Sequence, residues 1–162
     1  MTGTRLGQVI ALVVAVAICE TAGLIGAAFT SDAVASWYPT LAKPSFNPPN
    51  WLFGPVWTTL YAMMGVAAFL VWREGFSASA VKVALAIFAV QLVLNVLWSI
   101  IFFGVHALLP AFIEIVVLWV MILVTIIAFW RVSPAAGALL MPYLAWVGFA
   151  ALLNFSLWKL NA

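Results

Sequence analysis

The sequence predicts an all-α fold, an integral membrane bundle of five transmembrane helices. Of the 162 residues, 68% are hydrophobic and only 6% are charged, whereas a soluble domain is about 45–50% apolar and about 25% charged. The apolar residues fall into five stretches, and about 20 helical residues are enough to cross a hydrocarbon core of roughly 30 Å. Because lipid cannot hydrogen-bond the backbone, each stretch is expected to be a helix.

The five stretches account for almost the whole chain, so we expect one domain over residues 1–162. Pro110 and Pro134 support this division, because they fall in the first turns of the fourth and fifth spans, where a missing N–H costs little. Pro142 lies inside the fifth span and is expected to kink or open it. The spans are expected at about 6–28, 51–72, 78–103, 108–130 and 134–158.

The first connection, residues 29–50, is longer than the others and is rich in Trp, Tyr, Pro and Phe. Long segments without regular structure are uncommon in compact domains and often act as lids. A solvated linker would not carry Trp37, Tyr38 and Phe46. We therefore expect this lid loop to fold down onto the helices.

The six basic residues are scattered over the loops and ends of the chain and form no cluster, so nucleic-acid binding is not supported. Basic residues are more frequent in the cytoplasmic loops of membrane proteins. Four of them fall on the N-terminal side of the membrane and two on the other, which predicts a cytoplasmic N-terminus. The four are Arg5, Arg73, Lys82 and Arg131, and the two are Lys43 and Lys159.

Several polar side chains fall within the apolar spans, where a charged group costs about 2.5–3.5 kcal/mol. Counted at about 1.5 Å per residue, Glu20, Asn95 and Glu114 reach similar depths below the lid-side face. Asn154 is nearer that face. One interpretation is structural, with neutral glutamic acids hydrogen-bonded between helices. The other is functional, with these groups facing a ligand or handling protons.

Most of the nine tryptophans divide into two groups by their position along the spans. An interfacial aromatic belt explains those at span ends, which are Trp51, Trp72, Trp130 and Trp158. Others lie too deep for a belt and either line a pocket or pack in the core; they are Trp57, Trp98, Trp119 and Trp146. Indoles with a few amides suit an amphipathic, largely aromatic ligand.

No catalytic or metal-binding constellation is visible in the sequence. His106 is the only histidine and Cys19 the only cysteine, and no cluster of His, Cys and carboxylate residues has the spacing of a metal site. We therefore predict no catalytic residue, no bound metal and no cofactor.

Several motifs occur in order over essentially the whole chain. They are KPSFNPPNW at 43–51, GPVWTTLY at 54–61, QLVLNVLW at 91–98, PYLAW at 142–146 and LNF at 153–155. Together they resemble the TspO/MBR family, the tryptophan-rich sensory proteins of bacteria and the mitochondrial translocator protein, or peripheral-type benzodiazepine receptor. Two features depart from the family pattern. Phe46 stands where the family often has Trp, and no Tyr precedes Lys159, which weakens a sterol-recognition motif.

The resemblance implies a five-helix bundle, often dimeric, with a pocket beneath the first loop. In the family this pocket binds porphyrins such as protoporphyrin IX, sterols in the mitochondrial members, and isoquinoline-type drugs. Matching positions imply a ligand site formed by Tyr38, Trp57, Asn95, Trp98, Ser99, Trp146 and Ala150. Its expected polar partners within the membrane are Glu20, Glu114 and Asn154. We expect a homodimer in a bacterial cell membrane.

The leading hypothesis is a membrane receptor or sensor that binds porphyrin-type tetrapyrroles, including haem-like ones, and transports or disposes of them. One alternative is an enzyme that degrades porphyrin in light, its chemistry resting on the ligand and on Trp. Another is a proton-coupled transporter of porphyrin or sterol that uses Glu20 and Glu114, although broken helices and internal repeats are missing. A purely structural subunit would leave the deep polar residues unexplained.

Overall fold

The protein is a bundle of α-helices in the computed structural model, which describes residues 4–162. The helices are α1 (Arg5–Ser36), α2 (Phe53–Trp72), α3 (Ser79–Ser99), α4 (Leu108–Val132), α5 (Pro134–Leu139) and α6 (Met141–Leu160). Short 3-10 turns at Tyr38–Thr40 and Asn50–Leu52 join α1 to α2, and a π-helical turn at Ile100–Gly104 extends α3. Five helical units are long and apolar enough to cross a membrane, the last formed by α5 and α6 together. The predicted fold class is confirmed.

The first helix is longer than the sequence led us to expect, because it ends at Ser36 and not near residue 28. The segment 29–36 contains no Pro or Gly. Three of its hydroxyl side chains donate to carbonyl oxygens four residues earlier at 2.7–2.9 Å, which keeps them satisfied on the helix; they belong to Thr30, Ser31 and Ser36. The connection that follows, residues 37–52, is therefore shorter than predicted, and we call it the lid.

The last membrane unit is interrupted at Leu140, where α5 ends and α6 begins. Pro142 lies in the first turn of α6 and has no N–H to donate to the preceding turn. The helix resumes with the N–H of Leu144 donating to the carbonyl of Leu140 at 3.0 Å. This break is the opening that Pro142 predicts, and it precedes the buried Tyr143. The fifth span is therefore a broken helix, and the expectation that broken helices are missing was wrong.

Small residues let the first two helices approach closely. In the bundle, α1 packs against α2 and α3, α3 against α4, α4 against α6, and α2 against α5. A Cβ atom on Gly65 of α2 would lie 2.5 Å from the Cα of Val16 in α1, so only glycine fits there.

The outer face of α1 is apolar and open, with Leu6 and Leu24 about 70% exposed. Such a surface is suited to lipid and not to water.

We expect Gly65→Ala to destabilise the bundle by about 1–3 kcal/mol, because the added methyl group would push the backbones of α1 and α2 apart. Thermal unfolding in detergent, followed by circular dichroism, measures this effect. Gly54→Ala is the matched control, since a Cβ at Gly54 of α2 meets nothing within 4 Å. Equal unfolding temperatures for the two variants would contradict the proposed close contact.

Candidate functional site

A cavity of about 210 Å³ lies beneath the lid, among α1, α2, the α3 segment and α6. Its walls are mostly apolar and aromatic, and three indoles from three different helices contribute to them. These are Trp57 of α2, Trp98 of α3 and Trp146 of α6. Leu24 of α1 also lines the cavity and is 70% exposed, so the cavity reaches the lipid-facing surface beside α1.

The structure brings together most of the residues expected to form the ligand site. Those that line the cavity are Tyr38, Trp57, Trp98, Ser99, Trp146 and Ala150. Asn95 is not on the cavity wall; it is 1% exposed and lies behind Tyr61. Of the expected polar partners, Glu20 and Asn154 line the cavity and Glu114 does not.

A chain of four hydrogen-bonded side chains supports the cavity from behind. The Tyr61 hydroxyl donates to the side-chain oxygen of Asn95, and the Asn95 amide donates to the Tyr143 hydroxyl at 2.9 Å. That hydroxyl in turn donates to the Gln91 side-chain oxygen at 3.0 Å. The chain ties α2, α3 and α6 together in the bundle interior. Asn95 therefore holds in place the helices that form the cavity walls, and its amide group is already hydrogen-bonded to Tyr61 and Tyr143.

A second polar junction joins α3, α4 and α6 at the cavity. The indole N–H of Trp98 donates to the side-chain oxygen of Asn154 at 3.2 Å, and the Asn154 amide donates to the carbonyl of Leu108 at 2.9 Å. Asn154 is 1% exposed and therefore lies in the bundle interior. It fixes the orientation of the Trp98 ring against the cavity.

Two buried polar groups have no hydrogen-bond partner among the described residues. Both carboxyl oxygens of Glu114 are in this state, so the interhelical hydrogen bond proposed for Glu114 is not seen. The other group is the indole N–H of Trp146. Trp146 lines the cavity, and burying its N–H without a partner is costly.

The lid is held closed by contacts within itself and to the rest of the bundle. Tyr38 is 3% exposed and its hydroxyl donates to the side-chain oxygen of Asn47 at 2.5 Å. Lys43 donates to two lid carbonyls and lies over the Tyr38 ring, 5.1 Å from its centroid. At the far end, the side chain of Asn161 accepts from and donates to the backbone of Ala42, both at 2.9 Å.

The end of the α3 segment shapes the aromatic surface on which the lid rests. The N–H of Val105 bonds to the carbonyl of Ile100 at 2.9 Å, which closes a π-helical turn. Such turns are often found at functional sites. Within this turn, Phe102 lies 5.7 Å from Trp37 and stacks on Trp98 at 5.2 Å between ring centroids. The lid thus packs on the cavity's own aromatic wall.

Sequence reasoning missed two parts of this arrangement. The ring of Tyr61 packs directly against Gly23, where a Cβ atom would lie 2.6 Å from the ring. The clasp between Asn161 and Ala42 joins residues more than a hundred positions apart, and no local pattern predicts it. A signal did exist for the polar chain, because Gln91 and Asn95 are four residues apart and share a helix face.

Comparison with known proteins agrees with this architecture. The model of the TspO/MBR family matches residues 15–159. The chain belongs to this family. It is 46% identical to the tryptophan-rich protein TspO of Chlorobaculum tepidum over 95% of this chain and 98% of the relative. It is 42% identical to the translocator protein of Homo sapiens over 85% of this chain and 82% of the relative.

A tryptophan-rich sensory protein of Cereibacter sphaeroides is 38% identical over 90% of this chain and 87% of its own length. Together with the five helical units that are long enough to span, the family makes this TspO/MBR member a multi-pass integral membrane protein. The family also supports a membrane receptor or sensor role for the chain.

We expect Asn95→Ala to lower the free energy of unfolding by about 1–2 kcal/mol, because the Tyr61 and Tyr143 hydroxyls each lose a partner in the interior. Thermal unfolding in detergent measures the change. Thr21→Val is the control, since the Thr21 hydroxyl is exposed and donates only to a carbonyl of its own helix. An Asn95 variant as stable as the Thr21 variant would show that the polar chain does not stabilise the bundle.

Burial raises the pKa of the Tyr38 hydroxyl in the lid to about 12. The folded state therefore favours the neutral phenol, whose stabilising effect is complete below the ordinary tyrosine pKa of about 10. It is lost as the pH rises through the folded-state value, so wild type should lose stability between pH 10 and 12.

Tyr38→Phe keeps the ring and removes this titration. We expect the variant to be less stable at neutral pH, because Asn47 loses its donor, and to have a flatter profile of unfolding temperature at alkaline pH. The difference between the two profiles isolates Tyr38 from other titrating groups. Parallel profiles would contradict a stabilising role for the buried phenol.

Proposed function

We propose that this protein is a membrane receptor or sensor for porphyrin-type tetrapyrroles, which it binds in the cavity beneath the lid. The observation that carries the proposal is the convergence of Trp57, Trp98 and Trp146, from three helices, on one cavity closed by Tyr38. Flat indole and phenol rings give a macrocycle large apolar contact areas at low conformational cost. The family's tryptophan-rich sensory proteins and translocator proteins support the same assignment.

The polar groups of the site suit a ligand that is largely apolar and has a few acceptors. The Trp146 indole N–H is buried without a partner, and a ligand acceptor would satisfy it. The Asn95 and Asn154 amides serve the protein's own side chains and backbone. Recognition would therefore depend on ring contact and shape, with few directed hydrogen bonds.

We expect Trp146→Ala to weaken protoporphyrin IX binding at least tenfold, the effect of losing about 1.4 kcal/mol of ring contact. The shift of the porphyrin absorption band on titration with protein in detergent measures this without relying on tryptophan fluorescence. Trp130→Ala is the control, because Trp130 is 49% exposed and does not line the cavity. Equal weakening by both substitutions, or by neither, would count against the proposed site.

The same samples separate binding from light-dependent degradation of the porphyrin. That alternative gains support from the three indoles of the cavity, which would touch a bound photosensitiser. If degradation is the function, illumination should bleach the porphyrin faster with wild-type protein than with Trp146→Ala at equal ligand occupancy. Equal bleaching rates at equal occupancy would argue against degradation, and the receptor role would be the one that remains.

A further inference from the structure

Glu20 supplies the only carboxylate on the cavity wall, among the residues that the structure describes. It belongs to α1, is partly exposed, and lies one turn before Gly23, which lines the same cavity. No Lys, Arg or His is among the described residues of this wall. The cation of the lid, Lys43, donates to the carbonyls of Pro39 and Leu41.

Several hydrogen-bond donors around the cavity are already used within the protein. The Tyr61 hydroxyl donates to Asn95, the Tyr38 hydroxyl donates to Asn47, and the Trp98 indole donates to Asn154. The Trp146 indole N–H and the hydroxyls of Thr58 and Ser99 remain, but neutral donors do not offset a negative charge. A carboxylate that enters the cavity would therefore meet Glu20 without a neutralising cation.

The size of the cavity means that a tetrapyrrole enters by one edge. Pockets that bury a whole drug-sized ligand have volumes of roughly 300–1,000 Å³, and this cavity measures about 210 Å³. The exposed Leu24 on its wall marks a side that faces lipid, where the rest of a macrocycle would lie. Which edge enters is then decided by the groups that line the interior.

We propose that Glu20 is a specificity-determining residue that admits apolar or cationic ligand edges and excludes carboxylate-bearing ones. The inference rests on the proposed function, because it identifies which tetrapyrroles the cavity accepts. Protoporphyrin IX carries its two propionates on one edge and can present its opposite, apolar edge. Coproporphyrin carries a propionate on every pyrrole ring, so each of its edges brings a carboxylate towards Glu20.

The test compares protoporphyrin IX, coproporphyrin III and coproporphyrin tetramethyl ester by absorbance titration in detergent. Wild type should bind the tetra-acid more weakly than its ester. Glu20→Gln should strengthen coproporphyrin binding by about tenfold, as expected for removing a like charge several ångströms away at a partly wet site. Protoporphyrin and ester affinities should change little.

Asp32→Asn is the matched control, because it removes the same charge from an exposed position about three turns later on α1. It should leave the preference between acid and ester unaltered. An acid-to-ester affinity ratio that is the same in wild type and in Glu20→Gln overturns the proposal.

A ligand pair without a tetrapyrrole distinguishes failure of this inference from failure of the proposed function. Wild type should prefer naphthylmethylammonium to naphthoate, and Glu20→Gln should reduce that preference. If this shift occurs while protoporphyrin does not bind, the porphyrin assignment fails and the role of Glu20 stands. If no probe binds wild type, both are overturned.

Discussion

The hydrogen-bonded chain from Tyr61 through Asn95 and Tyr143 to Gln91 is the constraint on which the cavity depends. Apolar faces can slide or rotate past one another in lipid, because the acyl chains are as apolar as the side chains. Directed polar bonds remove that freedom. They fix the rotation of α2, α3 and α6, and with it the direction in which the indoles of these helices point.

Tryptophan has two uses in this protein, and its surroundings separate them. Trp51, Trp72 and Trp130 are 71%, 40% and 49% exposed near the ends of helices, where an amphipathic ring suits the membrane interface. Trp98, in contrast, is 8% exposed and has its N–H bonded to Asn154. A belt suits the protein to the membrane interface, while the interior rings form part of the cavity wall.

The lid and the cavity form one aromatic unit. Tyr38 is held by Asn47 and lies near Phe102 and Phe103, which belong to the π-helical turn and line the cavity. The Asn161–Ala42 clasp joins the lid to the end of α6, the helix that carries Trp146. Opening the lid would therefore disturb the cavity walls, and the two are expected to respond together to a ligand.

The amino-acid sequence alone determined the all-α membrane class. A chain that is 68% hydrophobic, in runs of helix length, is suited to lipid, where the backbone must satisfy its own hydrogen bonds. It also indicated Trp57, Trp98 and Trp146, since helical spacing and depth are local properties. It did not predict the extension of α1 to Ser36, where hydroxyl groups bond to their own helix. Nor did it predict that Asn95 lies behind the cavity wall, whereas the other expected ligand-site residues line it.

Only the tertiary structure decided these matters, because they depend on how helices distant in sequence rotate and pack. Asn95 proved to be a support because Tyr61 lies in front of it, held against α1 where Gly23 leaves room. Glu20 and Glu114 lie at similar depths in the sequence, yet one faces the cavity and the other does not. Depth follows from counting residues, whereas the direction of a side chain follows from the contacts of its helix.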